Sequence, residues 1–115
     1  MNTRNFLKSL AATLMLGALA ITTHAENFNP GLIGMRVVSK VKKSGTQNIY
    51  YYVLEARVNT QHNSVESKLG GVGAVPAKVA TSTYRVQYQS NPGKTWQFKA
   101  KLNGVRVAER NAVIY

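Results

Sequence analysis

From residue 80 onward the chain alternates apolar and polar residues almost without a break, and this alternation most constrains its fold. Tyr84, Val86 and Tyr88 interleave with Arg85, Gln87 and Gln89, and Trp96, Phe98, Ala100 and Leu102 interleave with Gln97, Lys99 and Lys101. A period of two matches a pleated strand with one oily and one wet face, and it would scatter apolar residues around a helix. Residues 48–58 (NIYYYVLEARV) repeat the pattern with strand-favouring residues. Tyr50, Tyr52, Leu54, Ala56 and Val58 fall on the expected core face, with Tyr51, Val53, Glu55 and Arg57 on the other. Residues 33–43 (IGMRVVSKVKK) add β-branched residues interleaved with bases.

Turn chemistry punctuates these runs. Asn103-Gly104 is a strong two-residue hairpin signal, because both residues tolerate the positive φ that a type I′ turn needs twice. Asn91-Pro92-Gly93 and Ser44-Gly45-Thr46 are further turns, and Pro30-Gly31 marks the end of a lead-in. Residues 59–78 are polar and then glycine-rich, and read as a long loop or crossover with a short strand near residues 65–69. Gly70-Gly71-Val72-Gly73 lacks the Gly-Lys-Ser/Thr ending of a phosphate loop, and Pro76 arrives before any helix could start. The expectation is an all-β fold, a small antiparallel β-sandwich or open β-barrel of five to six strands.

The first residues read as a secretory leader. Arg4 and Lys8 precede an apolar run at residues 10–21 (LAATLMLGALAI), and Thr23-His24-Ala25 closes it with small residues. The run is shorter than the roughly 20 residues a membrane-spanning helix needs. Residues 1–25 are therefore expected to be a signal peptide cleaved after Ala25, with Ala18-Leu19-Ala20 as a second exit. The remaining 90 of 115 residues suit one β domain at 26–115. The expected location is periplasmic or secreted, with no transmembrane segment in the mature chain. There is no cysteine, which excludes a lipid-anchored lipoprotein, disulfide staples and thiol chemistry.

Charge is the second constraint. The chain has 15 Lys and Arg against 4 acids, all of them Glu (Glu26, Glu55, Glu66 and Glu109). Such an excess attracts polyanions. Strand register turns composition into a surface. The Asn103-Gly104 turn pairs Leu102 with Val105 and Ala100 with Val107, and sets Lys101 against Arg106. Reading residues 84–102 as a second hairpin pairs Tyr88 with Trp96 and Val86 with Phe98, and sets Arg85 against Lys99. Arg85, Lys99, Lys101, Arg106 and Arg110 then share one outward face, where like-charge neighbours oppose folding unless an anion relieves them. Tyr51 is a candidate aromatic platform, and Lys42-Lys43 a possible extension of the basic area.

Catalytic constellations fail on inventory. After the leader the only histidine is His62, in a polar stretch, and no Gly-x-Ser-x-Gly elbow exists. Carboxylate pairs could come only from scattered glutamates, and Glu55 beside Arg57 reads as an ordinary surface pair. One histidine without Asp or Cys cannot build a normal metal shell. No catalytic residue, metal or cofactor is expected. The sequence thus points to an exported, non-enzymatic module that engages an anionic polymer (polysaccharide, lipopolysaccharide or nucleic acid) through a basic sheet face. Two alternatives remain: a structural or assembly subunit (of a pilus, matrix or secretion system) that pairs with other protein chains by strand addition through residues 112–115, and a protein inhibitor of a secreted enzyme.

Overall fold

The computed structural model describes residues 32–115, so the expected leader and the lead-in at 26–31 lie outside the described residues. Eight strands follow in order: β1 (Ile33–Lys42), β2 (Tyr50–Val58), β3 (Ser64–Leu69), β4 (Val72–Ala74), β5 (Ala77–Ala80), β6 (Thr83–Ser90), β7 (Thr95–Leu102) and β8 (Val105–Val113). They form two four-stranded antiparallel sheets, β1-β2-β6-β5 and β4-β3-β7-β8. The all-β expectation is met as a sandwich. There are eight strands rather than five or six, because the glycine-rich stretch itself pairs. Gly70 and Gly71 take φ of 57° and 85° and fold β3 back onto β4; with no Cβ, glycine adopts both angles without steric penalty. Among the described residues no helix is long and apolar enough to cross a membrane.

The core is the sum of the inward faces that alternation marks. Ile33, Met35, Val37, Tyr52, Leu54, Ala56, Val58, Val86 and Tyr88 from the first sheet meet Leu69, Trp96, Phe98, Ala100 and Ala108 from the second, with Ile114 just beyond β8. Trp96 stands edge-on to Phe98 at a centroid separation of 6.0 Å, an arrangement that favours aromatic pairs. Ser67 supplies the polar link between the layers. Its Oγ accepts a hydrogen bond from Trp96 Nε1 (2.8 Å) and bonds the Tyr88 hydroxyl of the opposite sheet (2.7 Å).

Two expected registers are corrected. β6 and β7 are not hairpin partners: β6 pairs with β2 and β5, and β7 with β3 and β8. Tyr88 therefore lies opposite Tyr52 rather than Trp96, Val86 opposite Leu54 rather than Phe98, and Arg85 opposite Glu55 rather than Lys99. Asn91-Pro92-Gly93 carries the chain from one sheet to the other, where Gly93 N–H donates to the Ile114 carbonyl (2.6 Å) and Ile114 N–H to that of Lys94 (3.0 Å). Alternation fixes which face is oily but says nothing about which strand is the neighbour.

The second correction lies in β8. The Asn103-Gly104 turn forms as expected, with φ of 52° and 82°, and it pairs Leu102 with Val105 and Lys101 with Arg106. A bulge then intervenes, so Ala100 faces Ala108 and not Val107. One extra residue exchanges the two faces of everything beyond it. Ala108, Arg110 and Ala112 turn toward the first sheet, and Glu109 and Asn111 turn outward; Val105, on the hairpin side of the bulge, keeps Leu102 as its partner but is 65% exposed rather than in the core. Without the bulge, Glu109 and Asn111 would point into the sandwich.

Candidate functional site

The outer face of the β4-β3-β7-β8 sheet carries most of the expected basic residues. Lys99 and Lys101 project outward from β7, because their neighbours Phe98 and Ala100 fill the core. β7 is an interior strand, so both lysines have neighbours on each side. Across β3 the register sets Lys99 opposite Glu66, Lys101 opposite Ser64, and Lys68 opposite Gln97. Across β8 it sets Lys99 opposite Glu109 and Lys101 opposite Arg106. The face thus gathers Lys68, Lys99, Lys101 and Arg106 with two carboxylates. Lys68 was not among the expected contacts, because residues 59–78 read as loop; the alternation of Val65 and Leu69 with Glu66 and Lys68 was the available signal.

The expected repulsion between Lys101 and Arg106 is relieved inside the protein. Lys101 Nζ reaches Glu66 Oε2 at 2.7 Å, and Arg106 reaches Glu109 Oε1 at 2.8 Å. Gln97 Nε2 donates to the other Glu109 oxygen (2.9 Å). The hydrogen bond from Lys101 holds the Glu66 carboxyl below the usual carboxylate range, helped by the charge of Lys101, against slight desolvation, and then by the charges of Lys99 and Lys68. The two lysines outside these ion pairs therefore contribute to the field over the face.

Arg110 is displaced from this face by the bulge. It lies opposite Phe98 and donates from Nη1 to the Ile33 carbonyl at 2.8 Å, so it clamps β8 to β1 across the sandwich edge. Arg85 and Tyr51 lie on the opposite side of the molecule, on the outer face of β1-β2-β6-β5. There Glu55 is only 3% exposed although it points outward, because arginines cover it from both neighbouring strands. Arg36 Nη2 approaches Glu55 Oε2 at 3.1 Å and Arg85 Nε approaches Oε1 at 2.8 Å. Glu55 is thus a shielded double acceptor for Arg36 and Arg85, not an ordinary exposed carboxylate. Further along the same face, Tyr51 is 47% exposed between Val41 and Gln89, and Gln87 lies opposite Val53. Lys43 Nζ donates to Gln89 Oε1 at 2.6 Å, which places Lys43 beside Tyr51 and away from the lysines of the other sheet.

His62 is engaged in packing. Its Nδ1 bonds the Thr60 carbonyl (2.8 Å), and since a carbonyl only accepts, this nitrogen carries the proton. In the neutral ring Nε2 then accepts from the Tyr84 hydroxyl at 2.7 Å. Among the described residues no three His, Cys, Asp or Glu side chains cluster to hold a metal ion.

Compared with known proteins, the chain matches no family model, no curated protein and no solved structure.

Proposed function

We propose that this is an exported, non-enzymatic binding module that engages an anionic polymer through the outer face of its β4-β3-β7-β8 sheet. One observation carries the reading: Lys68, Lys99, Lys101 and Arg106 sit on three adjacent strands of one exposed face that, among the described residues, holds two carboxylates. Counting side chains at residues 32–115, thirteen Lys and Arg face three Glu. Mobile counter-ions must balance such an excess, and a polyanion that replaces them gains the entropy of their release. The ion pairs to Glu66 and Glu109 tie Lys101 and Arg106 down, while Lys68 and Lys99 extend from the face. The export expectation rests on the leader alone.

The test is Lys68→Glu combined with Lys99→Glu, titrated against dextran sulfate at low salt. Neither lysine holds an ion pair among the described residues, but Glu at position 99 would face Glu66 and Glu109 across the strands, so a modest fall in melting temperature is expected and binding is read well below the transition. Binding is expected to fall at least tenfold. Binding at wild-type strength by the folded variant would remove this face from the account.

A second reading, assembly by strand addition, has its own support. β8 is an edge strand, with Val113 and the following Tyr115 exposed; at the other side of the sandwich the edge strands β4 and β5 expose Val72 and Val79, and their link exposes Val75. Unpaired edges of this kind recruit further strands. Light scattering after size exclusion separates the readings: a monomer that shifts only with added polyanion fits the first, and spontaneous oligomers fit the second.

A further inference from the structure

We infer that the outer face of the β1-β2-β6-β5 sheet is a second site, which takes the sugar rings of an acidic, carboxylated polysaccharide. The inference rests on the anionic-polymer reading and names a ligand class for the face opposite the lysines. Its parts lie on two interior strands. Tyr51, Val53 and Glu55 face outward along β2, while Gln89, Gln87 and Arg85 face outward opposite them along β6. The track has an aromatic ring and an amide side by side at one end, a second amide in the middle and a guanidinium at the other. From Tyr51 to Glu55 it runs for about 13 Å, at roughly 3.3 Å per strand residue. That is longer than a single pyranose, so the site suits an oligomer.

Each part matches a distinct feature of such a ligand. The Tyr51 ring is 47% exposed in the middle of a sheet face, flanked by Val41 and Gln89 rather than covered by another layer. An open ring of this kind presents a flat apolar surface to the C–H face of a sugar. Gln87 and Gln89 carry both a donor and an acceptor, as hydroxyl groups require. With Gln89 Oε1 accepting from Lys43, its amide N–H groups are left for a ligand. Arg85 bonds Glu55 through Nε alone, so its two terminal nitrogens have no protein partner among the described residues. That fork matches a carboxylate in bidentate geometry. Glu55, shielded under Arg36 and Arg85, acts as a positioning residue that holds the Arg85 fork in place.

The arrangement disfavours nucleic acid. Single strands are gripped by several rings that stack successive bases over a continuous basic groove. Among the described residues this face offers one ring, and its bases do not line a continuous groove: Arg36 and Arg85 share Glu55 at one end and Lys43 stands beside Gln89 at the other.

The experiment titrates the full mature chain with oligogalacturonates of increasing length, with neutral dextran, dextran sulfate and oligo(dT) as comparison ligands. The expected result is affinity that rises with oligogalacturonate length and little binding to dextran. Tyr51→Ala weakens oligogalacturonate binding by roughly tenfold and leaves dextran sulfate binding unchanged, while Tyr51→Trp restores it. Gln87→Ala with Gln89→Ala gives an independent loss. If the protein binds dextran sulfate but not oligogalacturonate, or if Tyr51→Ala and the double glutamine variant bind oligogalacturonate like wild type, the second site is overturned and the lysine face stands. If oligo(dT) binds more tightly than oligogalacturonate and loses affinity on Tyr51→Ala, the ligand class is wrong. If no polyanion binds even at low salt, both readings fall together.

Discussion

Ser67→Ala removes a single oxygen, yet it should be among the most damaging small changes in the protein. Ser67 is 4% exposed, and its Oγ accepts from Trp96 Nε1 at 2.8 Å while bonding the Tyr88 hydroxyl at 2.7 Å. The indole nitrogen sits on a ring that is 1% exposed, so after the substitution no water replaces the lost acceptor. A buried donor left unsatisfied costs about 1–3 kcal/mol. The Tyr88 hydroxyl keeps a backbone hydrogen bond at Ala74, so its loss is that of one ordinary bond, about 0.5–1.5 kcal/mol. The sum is about 2–4 kcal/mol, a large part of the stability of a domain this small. At about 4–8 °C per kcal/mol the melting temperature should drop by about 10–30 °C. Calorimetry of the wild type, Ser67→Ala, Tyr88→Phe and the double variant measures both the loss and the coupling across the two sheets. A melting temperature within a few degrees of wild type, or strict additivity with Tyr88→Phe, would refute the claim that this oxygen ties the layers together.

Two buried tyrosines and one partly buried make stability sensitive to alkali. Burial pushes the Tyr52, Tyr84 and Tyr88 hydroxyls above the ordinary tyrosine value, with the nearby Tyr50 adding to the effect on Tyr52. The folded protein thus holds these protons more tightly than the unfolded chain, and their contribution is fully present below about pH 10 and lost as pH rises through the folded values. Denaturant midpoints should be level toward pH 9 and fall above about pH 10, in step with tyrosinate absorbance; a midpoint that rises there contradicts the account. Glu55→Gln leaves the guanidinium groups of Arg36 and Arg85 facing each other, but their side chains are 40% and 44% exposed and can rehydrate. The expected loss is about 1–2 kcal/mol, below the 3–5 kcal/mol of a fully buried pair, read as a lower urea midpoint. Gly104→Ala forces a side chain onto a φ of 82°; it should destabilise by about 1 kcal/mol or more, measured in the same way.

Much of the fold was legible because alternation is a local property. Tyr52, Leu54, Ala56, Val86, Tyr88, Trp96, Phe98 and Ala100 all lie where a period of two puts them. What could not be read was long-range pairing. A turn at Asn91-Pro92-Gly93 is compatible with a hairpin or with a step between sheets, and both keep the same residues inside. The expected basic meander was therefore split, with Arg85 on one side of the molecule and Lys99, Lys101 and Arg106 on the other. The β8 bulge was equally hidden, because Val105 and Val107 continue the alternation beyond the hairpin and only the polar character of Glu109 and Asn111 opposes it. The glycine-rich stretch concealed β4 and β5, and although a short strand was expected near residues 65–69, nothing local placed it beside β7, so Glu66 and Lys68 were not seen to join the basic face.

The salt dependence of polyanion binding tests the central claim most directly. The logarithm of the binding constant should fall linearly with the logarithm of salt concentration, by about 0.7 for each cation engaged if the coefficient for single-stranded nucleic acid applies. With dextran sulfate, neutralising two lysines as Lys68→Gln with Lys99→Gln should flatten the slope by about 1.4. An unchanged slope in the folded variant would mean that those side chains never meet the polymer, and that the charge on this sheet serves some other end.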